Sequence, residues 1–206
     1  MKTKEKLKQI KYRIESLFFI IQRTLLSSFY KIKFPINKEV HCDSHVKMGR
    51  GTRIYFYNGK MHIKENTTIC NNSKFIIGGG KLEIGKNCLL GEYGIYNTFA
   101  NLIIEDDVIT ADRISFVTNI HQYHDIEIPI KEQPSTSDDI VIGRETWIGM
   151  NATILGGTHI GKNVVIAAHS VVKGNFPDYC VCGGVPAHII RQYNIKTGKW
   201  EKPYNK

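Results

Sequence analysis

A chain of 206 residues, 42% hydrophobic and 23% charged, is long enough for one main domain with a filled core, and this make-up excludes a disordered tract or a polytopic membrane protein. The formal net charge of +9 is uneven: residues 1–33 hold nine Lys or Arg against Glu5 and Glu15, so +7 sits there and only +2 on the rest. That excludes a basic nucleic-acid-binding face spread over the domain.

The first predicted element is a basic amphipathic helix within residues 1–36. Ile10, Ile14, Leu17, Phe18, Ile21, Leu25 and Phe29 recur at spacings of three and four, with Lys and Arg on the other side, and Pro35 closes the segment. Gln22 and Arg23 interrupt the apolar run, so it is too short to span a bilayer, and no small-residue cleavage site follows Leu17 to mark a secretory leader. Two readings stay open. The helix packs on the body or a neighbouring subunit, or it lies at the inner face of the cytoplasmic membrane with its cations on anionic lipid. The cysteines, Cys42, Cys70, Cys88, Cys180 and Cys182, are odd in number and without a C-x-x-C pair, which points to free thiols in a reducing, cytoplasmic compartment.

Residues 37–191 read as a solenoid. Within 140–175 an aliphatic residue returns every six positions, at Ile142, Ile148, Ile154, Ile160, Ile166 and Val172, each preceded two residues earlier by a small or β-branched residue. Side chains two apart share a strand face, so each hexad is a very short strand followed by a corner. Such strands must stack coil on coil to bury a column of aliphatics. The period reaches back through Met48 and Ile54, then Ile63, Ile69 and Phe75, then Ile84, Leu90 and Tyr96, then Ile104, Thr110 and Phe116. Its phase slips near Asn58-Gly59, Gly78 to Gly80 and Thr98 to Asn101. The longest break, from Phe116 to Ile142, predicts a loop leaving the solenoid at about 119–139, carrying Pro129 and Pro134. Residues 192–206 read as a C-terminal tail.

With W-I-G at 147–149 and G-V-P-A at 184–187, the repeats resemble the hexapeptide-repeat acyltransferases, among them the sugar O-acetyltransferases of capsule, lipopolysaccharide, sialic-acid polymers, maltose and galactosides. The resemblance implies an all-β, left-handed parallel β-helix of three strands and 18 residues per coil. It also implies a homotrimer with active sites between subunits, acetyl-CoA as donor, a sugar or glycan acceptor and no metal.

Acetyl transfer to a hydroxyl needs a base, and neutral His is the usual one near pH 7. Of eight His residues, His121 and His124 lie in the protruding loop, in SFVTNIHQYHDIE. The resemblance implies that His121 is the catalytic base, with His124 second and Asp125 able to orient either ring. It further implies that Trp147 stands beside thioester and acceptor, that Asn97 contacts the acceptor, and that Gly149, Ala167 and Ala168 line the pantetheine channel. Lys162, Lys173 and Arg191 are the cations offered to the CoA phosphates. Each has a plainer role: Trp147 sealing a subunit contact, the small residues packing coils, the lysines solvated. The chain departs from the family pattern at Lys173-Gly174 and His188. A covalent cysteine route is disfavoured, since no Cys falls beside His121 in the repeat. A γ-class carbonic anhydrase site would need two His five residues apart, and no pair has that spacing. The alternatives within reach are an N-acetyltransferase of an amino sugar and a non-catalytic scaffold.

Overall fold

The computed structural model describes residues 39–203. The predicted basic helix, residues 1–36, lies outside the described residues. The described chain is a three-faced parallel solenoid of short strands. The first face is a seven-stranded sheet from Val40–Cys42 to Asn175–Phe176, and the third a six-stranded sheet from Arg53–Phe56 to Val171–Val172. The second face runs from Lys47–Met48 to Cys180–Gly184 and is extended by two antiparallel strands, Ala187–Asn194 and Lys199–Glu201. The segment read as a tail therefore begins inside a hairpin.

The six-residue columns are the core. Ile142, Ile148, Ile154, Ile160, Ile166 and Val172 are buried, and so are their partners two residues earlier, Ile140, Thr146, Ala152, Thr158, Val164 and Ser170. Parallel ladders stack each column, as in Ile140 on Thr158 and Ile142 on Ile160. On the third face the inward column of the earlier coils is aromatic. Phe75 stacks on Tyr96 with ring centroids 4.4 Å apart, and Tyr96 on Phe116 at 5.3 Å. Such offset stacking adds to the area each ring buries. The Tyr96 hydroxyl is buried without a hydrogen-bond partner among the described residues, and burial pushes its ionisation upward.

Coil length is not uniform, which corrects the expected 18 residues per coil. Val40 pairs with Met61 and Lys60 with Lys81, each 21 residues on, and Leu82 pairs with Leu102, 20 on. Only the coil from Ile140 to Thr158 advances by 18, and the last, His159 to Asn175, by 16. The extra residues sit at the corner between the third and first faces, where the phase slips were read. Between Leu102 and Ile140 the advance is 38, which is 18 plus a 20-residue excursion, Asn119 to Asp138.

The corners have a rule of their own. Three residues after the inward residue of a first- or second-face strand the backbone turns left-handed, at His45, Asn66, Asn72, Asn87, Tyr93, Asp107, Arg113, Glu145, Asn151, Asn163, His169 and Tyr179, with φ between 54° and 61°. Asn and Asp tolerate this region best among non-glycine residues, and they fill six of these twelve corners. Among the described residues no helix is long and apolar enough to cross a membrane.

Candidate active site

The excursion leaves the third face after Ser115–Val117 and returns to the first face at Ile140. Its root is tied shut. The Asp138 N–H donates to the Thr118 carbonyl at 2.9 Å, and the Asp139 carboxylate accepts from both the backbone and side-chain N–H groups of Asn101 at 2.8 and 3.1 Å. The buried Thr118 hydroxyl accepts from the Phe99 and Ala100 N–H groups and donates to the Asn97 carbonyl. Beyond the root, Asn119–His121 pairs antiparallel with Ser135–Ser137, placing His121 opposite Ser135. Further out, the side chain of Gln133 donates to the Asp125 and Ile128 carbonyls at 2.7 and 2.8 Å and accepts from the Asp125 N–H at 3.3 Å.

Asn97 faces outward on the third face and donates its amide to Asn119 Oδ1 at 3.0 Å. Asn119 and His121, two apart on one strand, point to the same side. Asn97, Asn119 and the exposed His121 thus form one edge. Asn97, Val117, Leu155 and Lys173 belong to one outward column, since Val117 pairs with both Asn97 and Leu155 and the next coil advances by 18. The excursion overhangs this column and encloses a cleft of about 100 Å³ lined by Asn119, Asp138, Leu155, Gly156 and Lys173.

The remaining residues fall elsewhere on the same chain. Trp147 is on the second face, between Ile109 and Val165, and remains 53% exposed. Arg191, also exposed, lies on the strand opposite Val181. Gly149, Ala167 and Ala168 stack at the corner between second and third faces: a Cβ on Gly149 would meet the Ala168 nitrogen at 2.6 Å. That glycine is required by coil-on-coil approach, whatever else passes the corner. Lys162 is committed to Asp178 at 3.9 Å and lies over the Tyr179 ring. His124 packs against Tyr123, and Asp125 Oδ1 accepts the Glu127 N–H at 2.9 Å, so this oxygen serves the loop's own turn.

The cysteines are free. Burial pushes the Cys88 thiol up to about 11, far from a thiolate nucleophile at neutral pH. Cys180 and Cys182 are buried beside each other, with the Cys182 thiol pushed up chiefly by its hydrogen bond to Cys180.

The sequence reading missed Asn119, Thr118 and Gln133. Thr118 had a signal, because it continues the inward alternation from Phe116. Gln133 had none, standing in a stretch without period.

The family model described as bacterial transferase hexapeptide (six repeats) matches residues 139–174. Over 134 residues the chain is 34% identical to an Escherichia coli K12 protein provisionally named as a lipopolysaccharide biosynthesis O-acetyl transferase, WbbJ, covering 61% of this chain and 67% of that one. The chain belongs to the hexapeptide-repeat transferases. Another member, a Saccharomyces cerevisiae protein provisionally named as an acetyltransferase, is 32% identical over 142 residues, 65% of this chain and 70% of its own. A Mycobacterium tuberculosis protein, also provisionally named as an acetyltransferase, is 33% identical over 68% of this chain, but the match spans only 44% of that longer protein. Among solved structures, the hexapeptide solenoid aligns with AntD, an N-acyltransferase from Bacillus cereus in complex with dTDP and 3-hydroxybutyryl-CoA, at a TM-score of 0.66 and 18% identity, over 84% of this chain and 93% of that one. It also aligns with the polySia specific acetyltransferase NeuO at 0.52 and 22%, over 74% of each chain. These two likenesses are of fold.

Proposed function

We propose that the chain is an acetyl-CoA-dependent O-acetyltransferase acting on a sugar hydroxyl of a bacterial surface glycan, with His121 as general base. The observation that carries this reading is the edge of Asn97, Asn119 and His121, of which Asn119 also lines the cleft that holds Lys173. The kinship with proteins named for lipopolysaccharide and galactoside O-acetylation supports the acceptor class.

In the proposed reaction the His121 imidazole takes the proton of the acceptor hydroxyl while its oxygen attacks the thioester carbonyl. A backbone N–H stabilises the resulting oxyanion, the C–S bond breaks, and the imidazolium returns its proton to the CoA thiolate. A positioned base contributes about 10²- to 10⁴-fold, and one oxyanion donor about 10²- to 10³-fold.

Trp147, Arg191 and the Gly149 corner stand on other faces of the prism from His121, which supports a site completed between subunits. The exposed apolar side chains of Tyr93, Ile109, Trp147 and Met150 support the same reading. The proposed assembly is a homotrimer of left-handed coils. One subunit supplies His121, Asn97 and the cation Lys173, and a neighbour supplies Trp147, Gly149, Ala167 and Ala168 along the pantetheine, with Arg191 for phosphates. Lys162 is the weaker cation because Asp178 already neutralises it.

His121→Ala should lower acetyl transfer to sugar acceptors by about 10²- to 10⁴-fold while the thermal midpoint stays unchanged. Near-normal turnover would refute the assignment and move the role to His124. Amino-sugar acceptors in the same assay test the alternative, N-acetylation. Residues 1–33 are proposed to hold the cytoplasmic enzyme at the inner membrane face. Equal sedimentation of the full chain and one lacking 1–33 with anionic vesicles would contradict that.

A further inference from the structure

The first coil carries a second cluster of chemistry, apart from the excursion. His41 and His62 are register partners on adjacent first-face strands, Val40–Cys42 and Lys60–Ile63. Asp43 follows the first strand and is fixed by its own N–H donating to the Ile63 carbonyl at 2.9 Å. Both imidazole Nε2 atoms converge on one oxygen, Asp43 Oδ1, at 3.0 Å from His41 and 2.9 Å from His62. The rings stand 5.0 Å apart and tilted, and one ligand atom from each of the three residues lies within 4.8 Å of the others. The next residue of this outward column, Glu83, is held by Lys64 and Lys81, so the cluster ends at two rungs.

We propose that His41, Asp43 and His62 bind a divalent transition-metal ion of the Zn²⁺ type, which clamps the first coil to the second. Tetrahedral coordination with bonds of about 2.0 Å separates neighbouring ligand atoms by about 3.3 Å, so the two His-to-Asp distances need change by only a few tenths of an ångström. Two imidazoles and a carboxylate suit Zn²⁺, Co²⁺ or Ni²⁺ rather than Mg²⁺ or Ca²⁺, which take oxygen ligands. On metal binding each neutral ring would offer its Nε2 lone pair and carry its single proton on Nδ1. The exposure of His41, 66% for its side chain, leaves room for water as the fourth ligand.

The site lies where a staple has the most to hold. Val40–Cys42 is the edge strand of the first face, bonded on one side only among the described residues. Terminal repeats of a solenoid lack a neighbour on one side and need a cap. A metal bridging His41 to His62 ties this edge to the interior at one point on each rung.

The test uses the untagged full chain, freed of metal by chelation, titrated calorimetrically with Zn²⁺ and followed with Co²⁺ by absorption spectroscopy. One equivalent per chain is expected, with Co²⁺ bands of a four-coordinate N/O site and a thermal midpoint that rises with added Zn²⁺. His62→Ala and Asp43→Asn should each weaken binding at least tenfold, whereas His159→Ala, an exposed His on the same outward column four rungs from His62, should not. Binding of equal strength in His62→Ala, or wild-type binding no tighter than a single surface His gives, would overturn the proposal. Acetyl transfer is not part of the readout, so the outcome is independent of the reading for His121.

Discussion

From Ile140 to Ser170 every inward side chain is buried, whereas from Asn119 to Asp138 only Gln133 is. The coils are held above and below by neighbouring coils paired in register. The excursion is held by a tied root, one short strand pair and one glutamine. The contrast teaches where each kind of information sits: stability lies in inward columns that repeat, and the candidate base stands where repetition stops. A base must be reachable, so it cannot occupy an inward column position.

That division can be stressed from the coil side. Phe116→Ala, which opens the aromatic column on the strand from which the excursion departs, should destabilise by about 3–5 kcal/mol in chemical denaturation. A loss below 1 kcal/mol would mean that the columns are not the load they are taken to be. Tyr96→Phe should act in the opposite sense, raising stability by about 1 kcal/mol, because it removes a buried hydroxyl without a partner. A drop in stability would show that the hydroxyl is satisfied in the folded protein.

The same contrast explains what the sequence made legible. Ile142 to Val172 announced themselves because every coil asks the same question of every sixth residue. The break in phase from Phe116 to Ile142 marks where the chain leaves the solenoid, because no inward residue recurs there until the first face resumes at Ile140. The positive-φ corners escaped notice, since Tyr93, Arg113, Glu145 and Tyr179 are not turn formers and only their place in the coil selects that backbone. His41 and His62 escaped for a different reason. Their separation of 21 residues equals one long coil, a spacing that is meaningless until the register is known. The tie from Asn97 to Asn119 was out of reach too, because it joins a column residue to an aperiodic one.

The most direct test is to excise residues 119–138 and join Thr118 directly to Asp139. Thr118 and Asp138 are already hydrogen-bonded, so the gap is small, and removal leaves a coil advance of 18. The account predicts a folded solenoid, with the circular dichroism spectrum and thermal midpoint close to those of the full chain, and no detectable acetyl transfer. A variant that unfolds, or one that still acetylates at the full rate, would contradict it.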